Sequence, residues 1–234
     1  MASPFSNISP VVKNLLIINL ICFLPYIFLN GDQYNNLVVS HFGVFYFASP
    51  LFKPWQIITY MFLHGGWEHI LFNMFALFSF GPILEYTIGS KKFFNLYFIC
   101  GIGAVLFQMI VQAIEIHSLT GSFVVTNNTP IYDQVVLQKV AAIYYGPVVG
   151  ASGAIFGVLV AFGMLFPNLE LMILFIPVPV KAKYIIPVYI IFEIISSAGV
   201  FGSDNVAHLA HLGGALIAFI LIKIWGIKRP NSYY

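Results

Sequence analysis

Long apolar segments constrain this chain more than any other feature of its sequence. Six of them follow one another, each close to the length of about 20 residues that an α-helix needs to cross a bilayer. Their approximate bounds are 11–29, 66–86, 93–114, 147–166, 183–201 and 205–225. Runs such as 155–166 lack the alternation of apolar and polar residues that marks a transmembrane β-strand. The sequence therefore predicts an all-α membrane protein, a bundle of six transmembrane helices.

The composition supports a membrane protein and limits the partners that it could have. Charged residues make up 8% of the 234 residues, against roughly 25% in a soluble domain. Six helices with short loops use the whole length, so we expect one membrane domain over residues 1–234. The net charge of +2 is too small to indicate a nucleic-acid partner. The expected partner is the lipid bilayer.

Lysine and arginine residues are distributed unevenly between the two sides of the predicted bundle. Cytoplasmic loops usually carry the excess of these residues. Two of them, Lys53 and Lys139, lie on one side, and the others share the opposite side: Lys13, Lys91, Lys92, Lys181, Lys183, Lys223, Lys228 and Arg229. This imbalance predicts that both termini are cytoplasmic. The second, fourth and sixth helices then run inward from the outer face, and the loops around 30–55 and 115–146 are external.

Polar residues cluster at the predicted starts of the three inward-running helices. Ionisable and polar groups inside a bilayer are costly, so each one is a candidate for function. The second helix opens with His64 to His69 and continues to Asn73, the fourth opens with residues 150–153, and the sixth opens with residues 207–214. We expect the three groups to lie at one depth, near the outer face.

Ser152 is the candidate nucleophile of this cluster. It follows Pro147 by five residues, which would place it roughly 8 Å into the fourth helix at ~1.5 Å per residue. A serine hydroxyl needs a base to take its proton, and His211 at matching depth can supply one. His69 and Asn73 are four residues apart, so they share one helical face and could both donate to a developing oxyanion.

Small residues predict how the fourth and sixth helices approach each other. Gly153 and Gly157 form a G-x-x-x-G pair on the fourth helix, and Gly214 and Ala218 form the corresponding pair on the sixth. Backbones in contact would bring the nucleophile within reach of the base.

These motifs, from the second helix to the sixth, resemble those of the rhomboid intramembrane proteases. His64, His69 and Asn73 are similar to the H-x-x-x-x-H-x-x-x-N of that family, residues 150–153 to its G-x-S-G, and residues 210–214 to its A-H-x-x-G. The resemblance implies a rhomboid-type fold and a serine endopeptidase that cleaves transmembrane or juxtamembrane segments of membrane proteins. It also implies a Ser–His dyad without a catalytic aspartate and without a cofactor. The oxyanion hole would combine His69 and Asn73 with the backbone N–H of the serine.

The resemblance also assigns residues around the dyad. Substrate access would lie beside the fifth helix, between it and the second, with Phe72 and Phe192 as gate contacts. His64 is expected either to orient its neighbours or to line the cavity. Phe156 is also placed at the cavity and is expected to pack on the ring of His211, although it lacks the hydroxyl common at that position. In the first external loop, Trp55-Gln56 replaces a Trp-Arg pair found in many members.

Two glutamates lie within the apolar segments. Glu85 is predicted to anchor the loop between the second and third helices or a helix end. Glu193, in the middle of the fifth helix, is predicted to have a partner inside the bundle, with a catalytic acid role as the alternative.

For the location, we expect the plasma (inner) membrane of a bacterium, with the active site facing the outer side.

Two other functions remain as alternatives. The first is a metal transporter or metal-dependent membrane hydrolase that uses His64, His69, His208 and His211. Against it, His64 and His69 are five residues apart rather than the four of an H-E-x-x-H site, and no carboxylate joins the cluster on the fourth or sixth helix. We therefore expect no metal. The second is a catalytically inactive relative that binds membrane clients, which the presence of both Ser152 and His211 disfavours.

Overall fold

Helices dominate the structure, a computed structural model that describes residues 8–126, 128–173, 176–197 and 205–230. In chain order the α-helices are α1 (Pro10–Phe28), α2 (Gly31–Tyr34), α3 (Ser40–Phe42), α4 (Gln56–Thr59), α5 (Trp67–Ile88), α6 (Ser90–Thr120), α7 (Gln134–Tyr145), α8 (Ser152–Leu165), α9 (Ala182–Ser197) and α10 (Asn205–Ile224). A π-helical turn (Asn35–Val39) joins α2 to α3, and a 3₁₀ turn (Tyr60–Phe62) follows α4. Strands β1 (Glu170–Ile173) and β2 (Ile176–Lys181) form an antiparallel hairpin between α8 and α9.

Three helices are long and apolar enough to cross a membrane, counted over the described residues alone: α1, α5 and α6. Two shorter helices, α8 and α10, are also apolar. The prediction of a mostly helical membrane protein is thereby confirmed. The count of six spans and the cytoplasmic termini stay predictions.

Helix α8 lies at the centre of the bundle. Its sequence is apolar on all faces, and such a helix is stable when other helices surround it. Residues 153–158 are all buried, and α5, α6, α9 and α10 pack around the helix. This central position places Ser152, at the N-terminus of α8, inside the bundle.

The helix predicted from about residue 147 begins instead at Ser152. The preceding backbone is extended and makes its hydrogen bonds elsewhere, which explains the difference. Val148 exchanges two backbone hydrogen bonds with Val44, at 2.8 and 3.0 Å, and the Gly150 N–H donates to the Tyr60 carbonyl at 2.9 Å. The estimate that Ser152 lies 8 Å into the helix was therefore wrong, because Ser152 is the first helical residue.

The bounds of other predicted helices differ as well. The second begins at Trp67, after His64, and the third runs over residues 90–120 rather than 93–114. The predicted end of the fifth at residue 201 lies outside the described residues. Helix α7 and the hairpin β1–β2 were not predicted. Helix α7 covers a small apolar cluster, formed by Tyr46, Ile116, Val140, Ile143 and Tyr144.

Gln56 organises the loop between α1 and α5. Its side chain is fully buried, and its amide nitrogen donates to the carbonyls of Leu51 at 3.1 Å and His41 at 3.3 Å. Its Oε1 accepts from the Lys53 N–H at 2.9 Å. The neighbouring Trp55 indole N–H also donates to the His41 carbonyl, at 3.0 Å. A neutral amide therefore makes the buried contacts at the position where the resembling sequences carry an arginine.

Glu85 ties the start of α1 to the junction of α5 and α6. Its carboxylate accepts from the N–H groups of Val11 at 3.0 Å and Val12 at 2.9 Å. The first N–H groups of a helix have no partner within the helix, so the carboxylate satisfies two of them. The Ser90 hydroxyl donates to the same carboxylate at 2.6 Å. The predicted anchoring role of Glu85 is confirmed.

Candidate active site

Gly150 shapes the turn that presents Ser152. Its φ is +130°, a conformation that side chains rarely adopt. A Cβ at this position would lie 2.7 Å from His69 Nε2 and 3.5 Å from Ser152 Oγ. The imidazole of His69 and the hydroxyl of Ser152 therefore face the same glycine, which has no side chain to separate them.

Glycines let the backbones of α6, α8 and α10 touch. A Cβ on Gly214 would overlap the carbonyl oxygen of Gly153, and a Cβ on Gly153 would lie 2.5 Å from the Cβ of Ala104. One turn further, a Cβ on Gly157 would lie 2.5 Å from Cys100 Sγ. The contact predicted from small residues on the fourth and sixth helices is confirmed, and it sets the N-terminal turn of α8 against the middle of α10.

A cavity of about 700 Å³ opens beside Ser152. Helices α5, α8, α9 and α10 form most of its wall, which is largely apolar. The polar side chains that line it are Tyr60, Glu68, His69, Asn73, Ser152, Tyr189 and His211. An apolar pocket in which a few polar groups converge is the usual form of a binding or catalytic site.

The ring of His211 is held by two neighbours. It stacks on the ring of Phe156 with centroids 4.3 Å apart and planes 7° apart. Its Nδ1 lies 3.0 Å from Oε2 of Glu193, and Nδ1 of His208 lies 2.7 Å from the same oxygen. The expected packing of Phe156 on His211 is confirmed, and so is a partner for Glu193 within the bundle. The nitrogen of His211 that remains for Ser152 is Nε2.

His69 and Asn73 lie on α5 and line the cavity together. His69 Nδ1 accepts a long hydrogen bond of 3.4 Å from the Gly65 N–H. A neutral imidazole carries one proton, so this bond assigns that proton to Nε2, on the side of Gly150. Asn73 is buried, and its Nδ2 has no hydrogen-bond partner. Two donors are therefore available to a negatively charged oxygen near Ser152.

His64 lies behind His69 and not among the residues that line the cavity. Its side chain is fully buried, and its ring meets that of His69 edge to face, with centroids 5.1 Å apart. The ring faces the Phe62 carbonyl, but neither nitrogen reaches it with hydrogen-bond geometry. Burial, with a smaller contribution from His69, lowers the pKa of His64 to about 3. His64 is therefore neutral and packs against a candidate oxyanion donor.

The two phenylalanines assigned to the gate lie in different places. Phe72 lines the cavity, whereas Phe192 lines a separate apolar groove of about 540 Å³ along α9. Ile185 and Tyr189 border both spaces. Sequence reasoning did not single out Tyr189. Its spacing of four from Glu193 was the available signal, because residues four apart share a helical face. Phe192, by comparison, lies about 100° from Glu193 around the helix.

The histidines do not gather into a four-residue cluster. Within the described part of the chain, the group that could present three metal ligands is Glu193, His208 and His211, whose ligand atoms lie within 4.8 Å of one another. His64 and His69 do not belong to it. The carboxylate of this group comes from α9, the predicted fifth helix, and not from the fourth or sixth.

The site lies within a recognisable domain. Residues 51–227 match the Rhomboid domain, which is well over half of the chain and includes every cavity residue named above. The chain belongs to the rhomboid family. The resemblance drawn from the three motifs is thereby confirmed.

Known rhomboid proteins from bacteria and from mitochondria are similar to this chain. "Rhomboid protein 1, mitochondrial" of Saccharomyces cerevisiae is 31% identical over 165 residues, which are 70% of this chain and 40% of that protein. "Rhomboid protease AarA" of Providencia stuartii is 32% identical over 189 residues, 76% of this chain and 58% of the relative. "Putative rhomboid protease YdcA" of Bacillus subtilis is 28% identical over 185 residues, which are 76% of this chain and 71% of that protein. The chain thus spans about half the length of the first two relatives.

Proposed function

We propose that this chain is an intramembrane serine endopeptidase that cleaves transmembrane or juxtamembrane segments of other membrane proteins. The observation that carries the proposal is the meeting of Ser152, His211, His69 and Asn73 on one cavity. These are a nucleophile, a base and two donors, the set that acyl transfer requires. Membership of the rhomboid family, and relatives named as rhomboid proteases, support the same class of reaction.

Acylation begins with the hydroxyl of Ser152. His211 takes the hydroxyl proton on Nε2 while Oγ forms a bond to the carbonyl carbon of the scissile peptide. The carbonyl oxygen then carries the negative charge of a tetrahedral intermediate. The Nε2–H of His69, the amide of Asn73 and the backbone N–H of Ser152 are the proposed donors to that oxygen. The Ser152 N–H suits this role, because the first N–H groups of a helix have no partner within the helix.

Collapse of the intermediate releases the first product. The C–N bond breaks, and the proton held on Nε2 of His211 passes to the leaving amine. A water molecule then repeats the same steps on the acyl-enzyme, again giving its proton to His211, and Ser152 leaves with that proton. The cavity gives this water a path that the surrounding lipid does not.

We also propose that the chain crosses the bilayer six times, with both termini in the cytoplasm, as the lysine and arginine distribution predicts. Helix α8 has 14 residues and is therefore roughly 21 Å long at ~1.5 Å per residue, shorter than the ~30 Å hydrocarbon core. If its C-terminal end reaches the inner interface, Ser152 lies below the outer one. The bacterial plasma membrane remains the proposed location, supported by bacterial relatives, with the mitochondrial membrane as the alternative that mitochondrial relatives raise.

Substrate is proposed to enter through the gate, the side of the bundle between α5 and α9. A peptide bond in a transmembrane helix is shielded by its own hydrogen bonds, so the segment must unwind into the wet cavity before Ser152 can attack. Ile185 and Tyr189, which border both the cavity and the groove, support α9 as the wall to be passed. A disulfide engineered between the outer ends of α5 and α9 should slow cleavage reversibly. Equal rates for cross-linked and reduced protein would exclude this route.

The function is tested with purified protein in liposomes and a membrane-spanning reporter that has small or helix-breaking residues near its outer end. Wild-type protein should cut the reporter and react with a fluorophosphonate at Ser152, whereas Ser152→Ala should do neither. Ser79→Ala is the matched control, because Ser79 lies on α5 but not among the cavity residues, and it should retain activity. Cleavage by Ser152→Ala would refute the proposal. A folded wild-type protein that binds reporter without cutting it would favour an inactive, client-binding relative.

A further inference from the structure

Glu193 is a buried carboxylate in the middle of an apolar helix. It is 2% exposed, and its Oε2 is the common acceptor for Nδ1 of His208 at 2.7 Å and Nδ1 of His211 at 3.0 Å. A carboxylate within a membrane helix is costly and is usually retained for a function. Both partners of Glu193 lie on α10, and one of them is the proposed base.

We propose that Glu193 is a positioning residue for His211, so that the site works as a Ser152–His211–Glu193 triad rather than as a dyad. The inference rests on the proposed function and adds to it a third group that acts on the reaction through the imidazole.

The hydrogen bond to Glu193 selects the tautomer of His211 that catalysis needs. A carboxylate accepts hydrogen bonds and does not donate them, so Nδ1 must carry the imidazole proton. Nε2 is then left with a lone pair that can take the proton of Ser152. The opposite tautomer would place a hydrogen on Nε2 and leave Ser152 without a base.

The same bond completes the orientation of the ring. Stacking on Phe156 at 4.3 Å fixes the plane of the imidazole, but a stacked ring can still turn within its own plane. The hydrogen bond to Glu193 at 3.0 Å lies at the edge of the ring and stops that rotation. Together, the two contacts determine where Nε2 points.

The carboxylate of Glu193 also stabilises the positive charge that His211 gains during the reaction. As His211 takes the proton of Ser152, a cation forms in a cavity of low polarity, where an unpaired charge is costly. The carboxylate lies beside that cation and stays ionised, because the proton remains on the imidazole. The other titratable groups around the cavity are Tyr60, Glu68, His69 and Tyr189, and Cys100 lies deeper, against Gly157.

His208 shares Oε2 but has a different place. Its side chain is 26% exposed, against 14% for His211, and it does not line the cavity. Its hydrogen bond to the same oxygen restrains the carboxylate, as the carboxylate restrains His211.

The test compares Glu193→Gln and Glu193→Asp with Glu85→Gln in the reporter assay. Glu193→Gln should lower kcat on the order of 10²-fold, within the range of general-base contributions, and leave KM within about twofold. Glu193→Asp keeps the charge and should recover at least about tenfold of that loss. Glu85→Gln is the matched control, because Glu85 is equally buried and hydrogen bonded but anchors α1. It should lower the melting temperature without lowering kcat.

A double variant separates positioning from structural support. If Glu193 acts through His211, then Glu193→Gln should add less than about twofold to the loss already caused by His211→Ala. A wild-type kcat for Glu193→Gln, or losses that multiply in the double variant, would overturn the inference. If Glu193→Gln does not fold, Glu193→Asp replaces it in the same comparison. A folded Glu193→Asp variant that lowers kcat, but lowers it no further when His211→Ala is present, supports the inference. Losses in kcat that multiply in the double variant overturn it. Failure of this inference and failure of the proposed function are distinguished by Ser152→Ala. Cleavage by that variant refutes the proposed function, whereas it does not bear on the role of Glu193.

Discussion

Replacing Gly150 with alanine should impair catalysis far more than folding. The new Cβ would lie 2.7 Å from His69 Nε2, and ordinary contact begins near 3.4 Å, so the imidazole must retreat by about 0.7 Å. Oxyanion donors act at about 2.7–3.1 Å, and a retreat of this size moves His69 Nε2 beyond hydrogen-bond distance. The loss of one such donor costs about 2.7–4 kcal/mol, or 10²–10³ in kcat.

The same variant should lose less folding free energy than transition-state stabilisation, and the two losses can be measured separately. A non-glycine residue held at an unfavourable φ costs about 1–3 kcal/mol. Gly121→Ala is the matched control, since Gly121 has a φ of +74° but nothing within 4 Å of the position of a Cβ. It should carry the backbone strain without the collision with His69. The assay measures kcat with the membrane reporter and the melting temperature for both variants.

The two measurements together decide whether His69 acts where the structure places it. Gly150→Ala should lose kcat while Gly121→Ala keeps it, with comparable falls in melting temperature. Wild-type kcat in a folded Gly150→Ala protein would refute the assignment of His69 as an oxyanion donor next to Ser152. An equal loss of kcat in both variants would show that strain, and not the displaced imidazole, explains the effect.

Four further predictions concern neighbouring groups. His211→Ala should lower kcat on the order of 10²- to 10⁴-fold and His208→Ala by less; the reverse order would mean that the wrong histidine is assigned as base. Asn73→Ala should be only partly damaging, at most about 2.7–4 kcal/mol, because the other donors remain, and no effect across several substrates would leave Asn73 with a structural role. Phe72→Ala should keep or raise the cleavage rate at some cost in melting temperature; a rate as low as that of Ser152→Ala would contradict a gate role. EDTA should leave activity unchanged, whereas loss that zinc restores would favour the metal alternative.

The bundle was largely predictable because bilayer thickness sets a length that apolar segments either reach or miss. The start of α8 was not, since it depends on partners distant in sequence. Val148 pairs with Val44, and Gly150 with Tyr60, so the residues after Pro147 stay extended although their composition suits a helix. Helix α7 was not predicted because it is amphipathic and has only 12 residues, too few for an apolar span.

The candidate site was predictable to the extent that its residues stand in motifs at helix starts. Ser152, His211, His69 and Asn73 could be grouped because three helices that are predicted to run inward would bring their N-termini to one depth. The partner of His211 could not be identified in this way, because the sequence does not state which face of α9 turns inward. That face is decided by side-chain packing across the bundle, which sets Glu193 towards His211, Tyr189 between the cavity and the groove, and Phe192 along the groove.

Glu193 and His211 lie on different helices, α9 and α10, so the proposed gate and the proposed triad would be linked. If α9 swings outward to admit a substrate, the acceptor moves and the donor on α10 does not, so the 3.0 Å hydrogen bond lengthens. Ser152 would then be a poor nucleophile while the bundle is open and would regain its base on closure. This dependence would keep the open bundle from cleaving segments that are not yet fully bound. It also implies that an intermediate mobility of α9, not the greatest, would give the fastest cleavage.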